Sequence, residues 1–127
     1  MIPRSSALAF LLAVPISSAC SGDRTFDDPS QPIEVRAGSD FTIALESNRS
    51  TGYQWVLVDS AALGPLRLVD TRYEVPRRNR DRNGAGGAER WTFRAASAGE
   101  GVVSLVYVRP WEKEIPSDTT RFRATVR

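Results

Sequence analysis

The feature that most constrains the fold is a two-residue period of apolar and less apolar side chains in short segments after Gln31. Within each segment, large apolar residues occupy every second position. Such alternation is typical of β-strands that have one face in a core and the other in solvent. The segments are residues 41–45, 53–58, 91–95, 103–107 and 122–126.

Turn-forming residues separate these segments, which predicts many short strands. Clusters containing Gly, Pro, Ser or Asp occur at residues 37–40, 63–65 and 99–101, and residues 59–63 could add one helical turn. Residues 102–108 are apolar on both faces apart from Ser104, which predicts a central strand. About seven short strands over roughly a hundred residues favour an all-β, immunoglobulin-like two-sheet sandwich.

The absence of histidine excludes much enzyme and metal-site chemistry. None of the 127 residues is His, so neither a Ser-His-Asp unit nor a His-containing zinc site can be assembled. The adjacent carboxylates Asp27 and Asp28 lie in a polar segment and are interpreted as surface charge. With 17 basic and 15 acidic residues, the formal charge of +2 is too balanced to indicate nucleic-acid binding. We therefore expect no catalytic residue, no metal and no cofactor.

The first 31 residues are predicted to lie outside the folded domain. Arg4, a short apolar run and small residues up to position 19 form the pattern of an export signal, and the run is too short to span a bilayer. Cys20, the single cysteine, lies where a bacterial lipoprotein signal places its acylated cysteine. Residues 20–31 are polar and are predicted to be a flexible tether, which leaves residues 32–127 as the domain. We expect a lipoprotein of the cell envelope, periplasmic or on the outer surface; ordinary secretion is the alternative.

Three segments between the predicted strands carry the distinctive residues of the chain. The first is a tight turn with two hydroxyls, the second is glycine-rich within a long polar stretch, and the third ends the apolar central strand abruptly with a tryptophan. Taken singly, they could be an ordinary hairpin, a sheet crossover and a lid on the core. The candidate binding residues are Asn48, Arg49, Ser50, Thr51, Gly52 and Tyr53; Gly84, Ala85, Gly86 and Gly87; and Arg109, Pro110 and Trp111.

The expected topology brings these segments together. In an immunoglobulin-like sandwich, alternate connections emerge at the same end. The three segments follow the second, fourth and sixth predicted strands, so we expect them to form one continuous edge. Trp and Arg are enriched in interface hot spots, which favours a binding edge over three unrelated loops.

In this order, the three segments resemble the signature of the chagasin family of cysteine-peptidase inhibitors. The family has an N-P-T-T-G-Y/F segment, a G-x-G-G segment and an R-P-W segment, and the chain matches the second and third fully. In the first, Arg49 replaces the family's proline and Ser50 replaces its first threonine. The resemblance covers residues 33–127.

The resemblance implies a reversible inhibitor that occludes the active-site cleft of a papain-like cysteine peptidase. It implies that the first segment covers the peptidase's catalytic Cys–His pair, with Ser50 and Thr51 closest. The glycine segment would lie along the non-primed side through backbone hydrogen bonds, while Trp111 packs on the primed side and Arg109 makes polar contacts. Because Arg49 frees a backbone angle that proline would fix, the resemblance also predicts a less pre-organised first loop.

Two other function classes compete with this hypothesis. Exposed Trp and Arg would serve a cell-envelope adhesion or scaffolding module that binds sugar or protein equally well. An enzyme is disfavoured, because no nucleophile–base pair can be assembled from these loops. We expect a monomer whose partner is a papain-like cysteine peptidase, with no nucleic acid and membrane contact only through Cys20.

Overall fold

The chain forms two four-stranded β-sheets that face each other. The computed structural model describes residues 24–79, 86–112 and 115–127. Within these residues there are eight strands: β1 (Arg24–Phe26), β2 (Ile33–Val35), β3 (Asp40–Ser47), β4 (Gln54–Val58), β5 (Leu66–Glu74), β6 (Gly87–Ala95), β7 (Gly99–Val108) and β8 (Asp118–Val126). The predicted all-β, two-sheet sandwich is confirmed, with eight strands instead of about seven.

One sheet has the strand order β1-β3-β6-β5 and the other has the order β2-β8-β7-β4. β1 pairs with β3 and β2 pairs with β8 in parallel, and the remaining pairs are antiparallel. β7 lies between β8 and β4, so the prediction of a central strand at residues 102–108 is confirmed. Among the described residues, no helix has the length and apolar composition needed to cross a membrane.

The core lies between the two sheets and is built from the alternating residues. Phe41, Phe93 and Phe122 have no exposed surface, and Leu105 and Val103 are equally buried. Phe41 and Phe93 are paired residues of β3 and β6, and their rings stack 5.7 Å apart. The period-two pattern therefore identified the inward face of each of these strands correctly.

Three residues of the predicted tether belong to a sheet. Arg24–Phe26 form β1, and the ring of Phe26 lies edge-on to Phe41 at 6.2 Å. Arg24 Nη1 donates to the carbonyl of Glu34 at 3.0 Å, which joins β1 to the start of the other sheet. A single aromatic side chain placed against the core, with parallel pairing to β3, is enough to order this short segment.

Two segments predicted to form turns between strands differ in what the structure shows. The helical turn predicted at residues 59–63 is present as a 3₁₀ turn at Ser60–Leu63. Residues 99–101, predicted as a turn, instead begin β7. An ideal Cβ at Gly101 would overlap the carbonyl oxygen of Leu63. Glycine at this position therefore lets the 3₁₀ turn pack closely against β7 and does not end a strand.

The sandwich has two distinct ends. We define the loop end as the end where Ser47 pairs with Gly87 and Tyr107 pairs with Asp118. The far end is where Asp40 pairs with Arg94 and Gly99 pairs with Val126. The connections after β3, β5 and β7 all leave from the loop end.

Candidate functional site

The three predicted segments follow β3, β5 and β7, and their described residues share the loop end of the sandwich. Because β1 was not predicted, these strands correspond to the second, fourth and sixth predicted strands. We call residues 48–53, 86–87 and 109–112 the three-loop edge. Gly84 and Ala85, which were predicted to belong to it, lie outside the described residues.

The first loop is held by its own hydrogen bonds around Asn48. The side-chain oxygen of Asn48 accepts from the backbone N–H of Ser50 at 3.1 Å and from the Ser50 hydroxyl at 2.5 Å. The Thr51 hydroxyl donates to the Asn48 carbonyl at 2.7 Å. These bonds wrap Arg49–Thr51 into one 3₁₀ turn capped by Asn48. The two hydroxyls are exposed, as predicted, but their protons are engaged within the loop.

The Asn48 backbone fixes the base of this loop to the other sheet. Its N–H donates to the Tyr107 hydroxyl at 2.9 Å. Tyr107 is the partner of Trp55 across β4 and β7, and their rings lie 5.0 Å apart. The ring of Tyr53 also stacks on Tyr107, with 5.2 Å between the ring centres. An aromatic stack therefore supports the loop from below.

Trp111 lies on the outside of the edge, against the first loop. Its side chain is 69% exposed, so it is not a lid on the core. Its indole sits beside Gly52, where an ideal Cβ would overlap the ring. Gly52 has φ of 82°, and its N–H donates to the Arg49 carbonyl at 3.0 Å. The first and third loops are thus in contact through a position that has no side chain.

Arg109 makes the polar connection between the same two loops. Its Nε donates to the Thr51 carbonyl at 3.0 Å, and its guanidinium lies 4.5 Å from the centre of the Tyr53 ring. Its Nη1 also pairs with Glu112 at 3.2 Å. Pro110 follows as an exposed turn residue next to Trp111. The structure therefore brings the first and third loops together at one edge.

The described part of the glycine segment lies beside the first loop. Gly86 is exposed, and an ideal Cβ there would be 3.7 Å from the Ser47 carbonyl oxygen and 3.9 Å from Cβ of Asn48. Gly87 starts β6 opposite Ser47, packed against the Glu74 carbonyl and the Tyr73 ring. The segment therefore enters the sheet directly alongside the first loop.

Sequence reasoning missed several residues that support this edge. Glu89 is 3% exposed and faces inward on β6, and its Oε2 accepts from the backbone N–H of Trp55 at 2.9 Å. The sequence contained a sign of this inward position, because Glu89 lies two and four residues before Trp91 and Phe93 and therefore on the same face of the strand. A charged residue at an inward position requires a partner.

Among residues 24–79, 86–112 and 115–127, no three His, Cys, Asp or Glu side chains cluster as metal ligands would.

With this geometry in place, comparison with known proteins identifies the family. Residues 34–126 match the model of the Chagasin family peptidase inhibitor I42. The chain belongs to the chagasin family. This family consists of peptidase inhibitors, so the expectation that the chain is not an enzyme is confirmed. The alternative of an adhesion or scaffolding module receives no support from the match.

Individual relatives extend the family match over most of the domain. Chagasin of Trypanosoma cruzi is 32% identical over 82 residues, which cover 62% of this chain and 73% of that protein. Amoebiasin-1 of Entamoeba histolytica is 31% identical over 102 residues, covering 80% of this chain and 96% of that protein. The solution structure of amebosin has a TM-score of 0.67 at 25% identity, covering 83% of this chain and 98% of that one. The match therefore spans nearly the whole length of amoebiasin-1 and amebosin and about three quarters of chagasin.

Proposed function

We propose that the chain is a reversible inhibitor of papain-like cysteine peptidases that occludes the active-site cleft with the three-loop edge. Membership of the chagasin family supports the inhibitory activity and the class of target. The contact of exposed Trp111 with Gly52 carries the proposal of a single edge, because it joins two loops that are far apart in sequence.

Each loop has a distinct part in the proposed complex. The turn at Arg49–Thr51 enters the cleft over the peptidase's catalytic Cys–His pair. Gly86 and Gly87, with Gly84 and Ala85 before them, lie along the non-primed side through backbone hydrogen bonds. Trp111 packs on the primed side, and Arg109 holds it in register with the first loop. The self-bonded turn blocks the cleft without presenting a peptide bond for attack.

Titration against papain tests the proposal. We expect stoichiometric, reversible loss of papain activity with the wild-type protein. Trp111→Ala should weaken inhibition by about 2 kcal/mol or more, about thirtyfold, because a 69% exposed indole that becomes buried in an interface is a typical hot spot. Leu68→Ala is the matched control, since Leu68 is an exposed apolar residue, 42% exposed, on β5 opposite Phe93. Equal inhibition by wild type and Trp111→Ala would remove Trp111 from the site.

We also propose that the protein is exported and held in the cell envelope as a monomer by a lipid on Cys20. The support is the export pattern of residues 1–19 and the position of this single cysteine. In bacterial cells grown with labelled palmitate, we expect label on the wild-type protein and none on Cys20→Ser. Cys20→Ser should also move from the membrane fraction to the soluble fraction. An unlabelled, soluble wild-type protein would instead indicate ordinary secretion.

A further inference from the structure

The Arg49 side chain reaches back to the framework from within the first loop. Its Nη2 lies 3.5 Å from Oε1 of Glu89 on β6. Its guanidinium also lies 4.7 Å from the centre of the Tyr73 ring on β5. The Arg49 side chain is 48% exposed, whereas the Glu89 side chain is 4% exposed. The Arg49 guanidinium therefore makes an ion pair and a cation–π contact within the protein.

Glu89 explains why a cation is needed at this place. Its carboxylate lies at the loop end of the core, on the inward face that also carries Trp91. A buried carboxylate is costly unless it is paired and hydrogen-bonded. The backbone N–H of Trp55 donates to Oε2 at 2.9 Å, and Arg49 supplies the positive charge at Oε1.

Tyr73 completes the support. Its hydroxyl donates to the carbonyl of Ser47, the last residue of β3, at 3.3 Å. Its ring thus lies between the start of the first loop and the Arg49 guanidinium. Arg49, Glu89 and Tyr73 connect the loop to β6 and β5, which also border the glycine segment.

We propose that Arg49 is a positioning residue whose contacts with Glu89 and Tyr73 hold the first loop in its binding-competent conformation. This inference rests on the proposed inhibitory function. The sequence predicted a looser loop here, because Arg49 stands where the family has proline. Proline would restrain the loop by fixing its own backbone angle φ. Arg49 restrains the loop instead through its side-chain contacts with Glu89 and Tyr73.

A positioning role has a kinetic signature. If only a fraction of molecules hold the competent loop, the apparent association rate falls by that fraction, while the complex, once formed, is unchanged. A residue that touches the peptidase directly would instead change the dissociation rate. The two roles can therefore be separated by measuring both rates.

The experiment uses the full chain and papain with Arg49→Ala, Glu89→Gln and Tyr73→Leu. Each variant should lower the association rate about tenfold and leave the dissociation rate within about twofold, because each removes one part of the same support. Arg94→Ala is the matched control. It removes an ion pair with Asp40, at 2.9 Å, that joins β6 to β3 at the far end of the sandwich, and it should change neither rate.

A rescue variant separates restraint from charge. Asn48 has φ of −120° and ψ of 93°, an extended conformation outside the α region that a following proline disfavours. Arg49 is the first residue of the 3₁₀ turn, where proline fits. In the Glu89→Gln background, Arg49→Pro should therefore restore the association rate. Slow association in this double variant would contradict a restraint role.

Amide hydrogen exchange provides a readout that needs no peptidase. The N–H groups of Thr51 and Gly52 donate to the carbonyls of Asn48 and Arg49 at 3.2 and 3.0 Å, so they report the turn. Their exchange should speed up about tenfold in Arg49→Ala and Glu89→Gln, relative to amides of β7. Unchanged exchange overturns the inference even if the wild type inhibits papain. Faster exchange in a chain that does not inhibit papain would overturn the proposed function alone.

Glu89→Gln also decides between support and direct contact. Weaker inhibition in Arg49→Ala with normal inhibition in Glu89→Gln would assign Arg49 to the peptidase interface and overturn the inference. If Glu89→Gln fails to fold, Tyr73→Leu makes the same comparison, because it removes the ring under the guanidinium and leaves the carboxylate paired.

Discussion

At the scale of single residues, Gly52 shows how the absence of a side chain can join two loops. Its φ of 82° is in the left-handed region, and the space its Cβ would occupy is filled by the Trp111 indole. The sequence predicted a turn residue here, because glycine is common in tight turns. It could not predict the indole, because Trp111 lies in a different loop.

Gly52→Ala should therefore weaken papain inhibition about tenfold or more. The left-handed backbone costs a non-glycine residue about 1–2 kcal/mol, and the new methyl group must also displace Trp111. The inhibition constant and the Trp fluorescence of the free protein measure the two effects.

Gly38→Ala is the matched control for this prediction. Gly38 has a similar φ of 87°, but an ideal Cβ there would meet no atom within 4 Å. It should lower stability by a similar amount and leave inhibition unchanged. Equal inhibition by both variants would show that the Gly52 contact does not position Trp111.

At the scale of elements, the strands that could be predicted are those with one face in the core. β3, β6 and β8 alternate because their inward residues, such as Phe41, Phe93 and Phe122, are fully buried. β5 shows no such alternation, because it is an edge strand on which only Leu66 is buried, with a bulge between Leu68 and Asp70. A strand with two exposed faces has no reason to alternate.

The far end offers an element-scale prediction at Gly101. An ideal Cβ there would overlap the Leu63 carbonyl and lie 3.0 Å from Cδ1 of Leu66. Gly101→Ala should lower the free energy of unfolding by about 1–3 kcal/mol, because β7 and the 3₁₀ turn cannot separate without repacking. Denaturant titration measures this loss. Papain inhibition by the folded Gly101→Ala variant should be unchanged. Weaker inhibition would show that a packing change at the far end alters the conformation of the three-loop edge.

At the scale of the whole molecule, the position of the site could be predicted but its internal bonding could not. The order of strands and connections places three loops at one end of any sandwich with this topology. The contacts that join them depend on side chains whose partners are distant in sequence, such as Arg109 with Thr51 and Arg49 with Glu89. No local pattern specifies such pairs.

The parallel pairings have one further consequence for handling this protein. Because β1 runs alongside β3 and β2 alongside β8, Arg24 and Arg127 both lie at the far end, where the Arg127 N–H donates to the Val35 carbonyl at 3.0 Å. The eight residues of β3 place that end about 25 Å from the loops. A bead, a sensor chip or a fluorescent fusion joined at either position would leave the peptidase-facing surface pointing outward into solution.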